Sequence, residues 1–195
     1  MKVIINESQR KMLLEFLSEI VYHFTDEDGI EYICEKNAIP LTKSDKYYTN
    51  DIQNDASISG NFSYYLSFTR VRNSNVGYGS WRFLNSLLTV RIQFNGNLLN
   101  CNFKGKPVDY FKTKSNTNDF RLVQSEDRLL SNKPFIDDID KYIDRIDILL
   151  NDASDKSNAE WFDGFIKDLK NTSYYHLFSN KIMIYFNKED FNLQK

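Results

Sequence analysis

Three segments of the chain carry polar side chains at alternate positions, the spacing that places side chains on one face of a β-strand. His23 and Thr25 form the first pair, and Gln124 and Glu126 form the last. The row between them consists of Tyr65, Ser67 and Thr69, alternating with Leu66 and Phe68. An imidazole, hydroxyls and a carboxylate at one site could hydrogen-bond a polar small molecule and hold a negative charge beside it.

Strands are predicted wherever β-branched and aromatic residues cluster between turn signals. They cover residues 20–25, 62–71, 87–94, 120–125, 143–150 and 181–186. The fourth of these strands ends directly before Glu126, and Asn95-Gly96-Asn97 is predicted to be a turn. The three polar rows therefore fall on or beside three different strands.

Helices are predicted where a capping pair precedes apolar residues at helical spacing. The capping pairs are Asn6–Gln9, Thr25–Asp28 and Ser157–Glu160. The first opens an N-terminal helix within residues 1–19. The second opens a helix that buries Ile30, Ile33 and Cys34 and ends near Pro40. The third opens an amphipathic helix with Phe162, Phe165, Ile166 and Leu169 on its apolar face.

The length of 195 residues predicts a single domain over residues 1–195, with a surface loop over 42–61. Early helices, clustered strands and no regular βαβ alternation predict an α+β fold with a mostly antiparallel sheet. The net charge of −2 gives no global basic field for nucleic acid. The start of the chain is interrupted by charges, which favours neither a signal peptide nor a membrane anchor.

Metal and disulfide chemistry have no sequence support. Cys34 and Cys101 lack a CxxC spacing and a nearby histidine, so we expect two buried, unpaired cysteines in a reducing cytoplasm. The chain contains no P-loop, no HExxH and no GxSxG, which removes support for phosphoryl transfer, zinc hydrolysis and serine hydrolysis. We expect no metal cofactor.

The chain resembles the ADP-ribosyltransferase superfamily in three ordered motifs. The segment YHFT is similar to the first-strand histidine motif, YYLSFTR to the central-strand motif, and QSE to the strand that ends in the catalytic Glu. The resemblance covers roughly residues 20–150. It implies a split, mostly antiparallel β-sheet with peripheral helices and a cleft that holds NAD as a substrate.

The resemblance also implies catalytic roles. Glu126 would stabilise the oxocarbenium-like ribose that forms as the bond to nicotinamide breaks, because a fixed negative charge opposes the developing positive one. Gln124 would face the acceptor. His23 and Thr25 would hydrogen-bond the ribose next to nicotinamide and so orient NAD.

The remaining implied contacts lie in the central motif and the turn after it. Tyr65 or Tyr78 would stack on the nicotinamide ring. Ser67 and Thr69 would brace the Glu126 side of the cleft, and Arg70 would bind the pyrophosphate. Because of the net acidity we expect a protein acceptor rather than nucleic acid. We expect action in the cytoplasm, as a phage or bacterial toxin-like effector would act.

Two other functions remain open at the level of the sequence. The first is a non-catalytic binding or virion-associated domain that keeps the same fold. The second is a two-histidine phosphoesterase, which needs two His-x-Thr/Ser motifs on strands. His23-Phe24-Thr25 fits this pattern, whereas His176 is followed by a hydroxyl at the third position instead of the second.

Overall fold

The computed structural model describes residues 17, 19–43, 63–73, 83, 86–108 and 126–193, and at residues 106–108 and 126 it describes the backbone. The strands are β1 (Ile20–Thr25), β2 (Ala38–Pro40), β3 (Thr42–Lys43), β4 (Tyr64–Thr69), β5 (Leu88–Asn95), β6 (Lys104–Val108), β7 (Glu126–Ser131), β8 (Phe135–Asp137), β9 (Ile143–Leu150) and β10 (Ile182–Tyr185). The α-helices are α1 (Glu27–Lys36), α2 (Gly96–Asn102), α3 (Lys156–Lys170), α4 (Tyr175–Phe178) and α5 (Lys188–Leu193), and a 3₁₀ turn covers Ile139–Lys141.

The strands form one large sheet and one small one. The large sheet has the order β10-β9-β5-β1-β4-β7-β6, with β3 added on β4, and the small sheet pairs β2 with β8. Within the described strands, β9 and β10 are parallel and the other neighbours are antiparallel. The predicted α+β fold with a mostly antiparallel sheet is confirmed. Among the described helices, none is long and apolar enough to cross a membrane.

The large sheet divides into two half-sheets. In the described strands, β1 and β4 share a single residue pair, Tyr22 with Thr69. By contrast, β1 pairs with β5 over six residues, and β4 pairs with β7 over six. We call β10-β9-β5-β1 the first half-sheet, β4-β7-β6 with β3 the second, and the contact between β1 and β4 the junction.

The two faces of the sheet bury different cores. Residues directly opposite each other in antiparallel strands lie on the same face, so the pair Tyr22–Thr69 relates the faces of the two half-sheets. One side, the helical face, packs against α1 and α3 through residues that include Val21, Phe68, Ile92, Ile30 and Phe165. The other side, the arginine face, carries Phe24, Leu149, Tyr185 and Phe191, with Tyr22 packed against them.

Both longer helices begin one or two residues away from the predicted capping residues. The cap of α1 is Asp26, whose carboxylate accepts from the Gly29 N–H at 3.2 Å, so Thr25 does not cap this helix. The cap of α3 is Asp155, not Ser157. Aspartate and the hydroxyl residues can all cap a helix, and aspartate is favoured here because its negative charge suits this end of the helix.

Helix α1 ends earlier than predicted. Its last residue is Lys36, and Asn37 follows in the left-handed conformation with φ of 48°. The Asn37 side chain is fixed there because its amide donates to Asp140 Oδ1 at 2.7 Å and its oxygen accepts from the Asp140 N–H at 3.0 Å. Pro40 does not end the helix but lies in strand β2.

Several predicted boundaries are wrong by a few residues, and one predicted turn is a helix. The strand at 143–150 is confirmed at both ends, whereas the strands predicted at 62–71, 87–94 and 181–186 are 64–69, 88–95 and 182–185. The turn predicted at 95–97 is the start of α2, where Asn95 Oδ1 accepts from the Leu98 N–H at 3.0 Å. Asparagine at this position serves equally well as a turn residue and as a helix cap.

Other predicted segments fall partly or wholly outside the described residues. Of the loop predicted at 42–61, residues 42–43 are strand β3, which pairs with β4, and the rest lies outside the description. Of the predicted N-terminal helix, residues 17 and 19 are described and are not helical. The strand predicted at 120–125 is outside the described part.

Candidate functional site

His23 lies at the junction, where β1 and β4 separate. Its Nδ1 is 3.0 Å from the carbonyl oxygen of Ser67, and its ring meets Phe68 edge-on at a centroid distance of 6.3 Å. A carbonyl oxygen accepts hydrogen bonds and cannot donate them, so Nδ1 carries the proton. The Nε2 atom of the neutral ring is then an acceptor, and on the charged ring it is a second donor.

Thr25 leaves the sheet on the same face as His23, but its side chain is covered by α1. A Cβ atom built on Gly29 would lie 1.9 Å from the Thr25 hydroxyl oxygen, so helix and strand are in close contact here. Glycine at position 29 permits this approach. The surroundings of Thr25 are those of a helix–sheet packing residue.

The middle polar row lies on the opposite face of the sheet. Because Thr69 pairs with Tyr22, the row of Tyr65, Ser67 and Thr69 belongs to the arginine face, whereas His23 and Thr25 belong to the helical face. Thr69 is fully buried and its hydroxyl accepts from the Val71 N–H at 3.0 Å. The structure therefore does not bring these two rows onto one face, although Ser67 meets His23 through its backbone.

The Tyr65 ring is already covered by a cation. The guanidinium carbon of Arg128, on β7, lies 4.8 Å from the centroid of the Tyr65 ring. This arrangement is a cation–π contact between neighbouring strands of the second half-sheet. Tyr78, the other ring proposed to stack on nicotinamide, lies outside the described residues.

Glu126 is the first residue of β7, and its Cα position is opposite Thr69. Tyr22, Thr69 and Glu126 thus form one row across three strands. With about 4.8 Å between neighbouring strands, the Cα atoms of Tyr22 and Glu126 are roughly 10 Å apart. The fold therefore brings the backbones of Glu126 and of His23, the neighbour of Tyr22, close together although about a hundred residues separate them. The register nevertheless assigns Glu126 to the arginine face together with Thr69, whereas His23 belongs to the helical face. Gln124 lies outside the described residues.

The prediction that the strand ends at residue 125, directly before Glu126, is wrong, because β7 runs from Glu126 to Ser131. The strand accommodates the charged residue that follows because Asp127 forms an ion pair. Asp127 is fully buried on the helical face, and its Oδ1 lies 3.2 Å from Nε of Arg70. Arg70, proposed to bind a pyrophosphate, is thus held by a carboxylate and keeps about a third of its side chain exposed.

The arginine face also carries a buried cluster of charges that was not predicted from the sequence. Arg91 of β5 is fully buried and donates to Asp147 Oδ2 from Nε at 3.1 Å and from Nη2 at 2.6 Å. Arg145 donates from Nε to Asp147 Oδ1 at 2.6 Å, and Arg72 lies 3.8 Å from Oδ2. We call Arg72, Arg91, Arg145 and Asp147 the arginine cluster.

Burial and the neighbouring negative charge shift the pKa of Arg91 in opposite directions. Burial lowers the pKa of Arg91 from its usual value, and the nearby Asp147 charge counteracts this. The hydroxyl of Tyr185 contacts both Arg145 and Asp147, and burial raises its pKa. The cluster had a sequence signal that went unused, since Arg91 and Asp147 interrupt the apolar strands TVRIQF and IDILL.

The second histidine does not lie on a strand, as a two-histidine phosphoesterase would require. His176 is exposed and lies on α4, a helix and not a strand. Among the described residues, no group of three or more His, Cys, Asp or Glu side chains could hold a metal ion. Cys34 is buried as predicted, whereas the prediction of a buried Cys101 is wrong, because this residue is exposed; both are free thiols.

The chain matches no protein-family model, no curated protein and no solved structure.

Proposed function

We propose that the chain is an NAD-dependent ADP-ribosyltransferase with the split sheet of that superfamily and a site at the junction. One observation carries the proposal: the sheet separates into two halves beside His23, and the Glu126 backbone lies two strands away in the row of Tyr22 and Thr69. The order of the three motifs along the chain supports the same assignment.

In this proposal Glu126 is the catalytic residue and NAD is a substrate. Cleavage of the bond to nicotinamide leaves positive charge on the ribose, and nicotinamide departs with the bonding electrons. A carboxylate about 4 Å from that charge contributes roughly 4 kcal/mol at the polarity typical of a protein surface. Such a contribution corresponds to about a thousandfold in rate.

His23 would orient the substrate. Its Nδ1 bond to the Ser67 carbonyl fixes the ring, and in this proposal Nε2 contacts a ribose hydroxyl. Thr25 and Thr69 are better explained as packing and backbone-capping residues, because one lies under α1 and the other is buried. We therefore assign no ligand contact to these two threonines.

The acceptor in this proposal is a protein side chain, and the action takes place in the cytoplasm. The net charge of −2 disfavours unaided capture of a polyanion such as nucleic acid. A toxin-like effector would act on a host protein in this way.

The first test replaces Glu126→Gln, which removes the charge and keeps the size. We expect nicotinamide release and transfer of label from radiolabelled NAD to lysate proteins to fall about 10²- to 10³-fold. The control is Glu160→Gln on α3, an exposed glutamate whose ion-pair partner Lys156 is also exposed. An unchanged transfer rate in Glu126→Gln, with the fold intact by circular dichroism, would refute the catalytic role.

The second test uses the two histidines. Replacement of His23→Ala should raise the KM for NAD more than it lowers kcat, whereas His176→Ala, on an exposed helix, should change neither. NAD should also raise the melting temperature of the unmodified protein. If NAD produces no thermal shift and no label reaches any acceptor in a host lysate, the transferase proposal fails.

A further inference from the structure

Arg72 is held in the arginine cluster without a full set of hydrogen-bond acceptors. Its Nε and Nη2 atoms are buried, and neither has a hydrogen-bond partner. The carboxylate nearest to it is that of Asp147, whose Oδ2 lies 3.8 Å from Nη2. This distance gives an ion pair but exceeds that of a hydrogen bond.

Asp147 has no capacity left for Arg72. A carboxylate accepts about four hydrogen bonds, two at each oxygen. Oδ2 accepts two from Arg91, and Oδ1 accepts one from Arg145 and one from the Tyr185 hydroxyl. The two buried donors of Arg72 therefore need an acceptor from outside the cluster.

The cluster also carries an excess of positive charge. Three guanidinium groups converge on a single carboxylate, and Arg72 is fixed in place because its carbonyl oxygen accepts from Arg91 Nη1 at 2.9 Å. The side chains of Arg72 and Arg145 remain 17% and 25% exposed, so solutes can reach this edge of the cluster. Buried positive charge with access to solvent favours an anion.

We propose that Arg72 and Arg145 form a binding site for a phosphate group. The planar guanidinium fork matches the oxygen atoms of phosphate, and a phosphate supplies the acceptors that Nε and Nη2 of Arg72 lack. The guanidinium donors of Arg91 are almost all used in hydrogen bonds within the protein, and two of these bonds hold Asp147. Asp147 in turn positions Arg145. The site lies on the arginine face, opposite the face of His23, and does not depend on the proposed transferase activity.

The test measures inorganic phosphate binding to the full-length protein by calorimetry and by thermal shift, with sodium chloride at the same ionic strength as the reference. Phosphate should raise the melting temperature above its value in chloride. The variant Arg72→Met should lose that rise in melting temperature, and its dissociation constant for phosphate should be roughly tenfold to a hundredfold higher. The control Lys167→Gln, which removes an exposed charge on α3, should keep both.

A second measurement separates a ligand-binding role from a structural one. In chloride alone, Arg72→Met should melt no lower than the unmodified protein, because it removes two unsatisfied buried donors. Binding of ADP-ribose or NAD with the same dependence on Arg72 would identify a nucleotide as the source of the phosphate, and binding of phosphate alone would identify the free ion. The proposal fails if phosphate gives no shift beyond chloride, if Arg72→Met keeps the shift, or if that variant is markedly less stable in chloride.

Discussion

Removal of the Asp147 charge should destabilise the protein more than any other single charge change in the arginine cluster. Asp147→Asn leaves the fully buried Arg91 without its counter-charge and takes the strongest acceptor away from Arg145. Breaking a buried ion pair in this way costs about 3–5 kcal/mol. In a domain of this size each kcal/mol lowers the melting temperature by about 2–4 °C, so we expect a decrease of roughly 6–20 °C.

The assay is urea unfolding followed by circular dichroism, with calorimetry as the second probe. Asp163→Asn on the exposed side of α3 is the matched control and should change the unfolding free energy by less than about 0.5 kcal/mol. Arg91→Met should cost less than Asp147→Asn, because Asp147 keeps Arg145 and Arg72 as partners. The reasoning is refuted if Asp147→Asn is as stable as its control, or if Arg91→Met is the more damaging change.

Four further predictions concern two glycines of the helices and the two thiols. Gly29→Ala should destabilise the protein by about 1–3 kcal/mol in urea unfolding, because its Cβ would lie 1.9 Å from the Thr25 hydroxyl oxygen, and Thr25→Ala should recover part of that loss. Gly164→Ala, which has no atom within 4 Å of its new Cβ, should instead stabilise α3 by up to about 1 kcal/mol. Burial raises the pKa of Cys34 to about 12, so at pH 8 a thiol reagent should modify Cys101 alone in the native protein and both cysteines in denaturant. The pKa of the thiol is near 9.0 in the unfolded chain, so ionisation of Cys34 should lower the unfolding free energy as the pH rises from about 9 towards 12. If the difference in unfolding free energy between Cys34→Ala and the unmodified protein does not change over this pH range, the prediction is contradicted.

The parts of the fold that the sequence predicts well are those fixed by local pattern. Strand β9 follows from a run of β-branched residues and is found at Ile143–Leu150 as predicted. The apolar face of α3 follows from spacing alone, and Phe162, Phe165 and Leu169 are buried. In both elements the hydrophobic period and the residue preferences agree.

The elements that the sequence analysis missed depend on partners distant in the chain. Strand β7 contains charged residues directly after Glu126. It forms because Asp127 makes an ion pair with Arg70, which is distant in the chain. Helix α5 is short and polar, and its Phe191 is buried against Tyr185 and under Arg91. No window of neighbouring residues contains these contacts, so local pattern cannot predict them.

Only part of the candidate site could be predicted from the sequence, for a similar reason. Alternation within a strand correctly groups His23 with Thr25, and Ser67 with Thr69. It does not say which face of one strand matches which face of the next, because that depends on register. The single pair of Tyr22 and Thr69 sets the register here, and it separates the two groups.

The segment after β4 explains how two half-sheets with one shared residue pair stay in a fixed relation. Arg70 pairs with Asp127 in the second half-sheet, and two residues later Arg72 pairs with Asp147 in the first. The same segment is also tied to β5 through the bond from Arg91 to the Arg72 carbonyl oxygen. Residues 70–72 therefore connect both halves, through the ion pair of Arg70 on the helical face and through the bond from Arg91 to the Arg72 backbone on the arginine face.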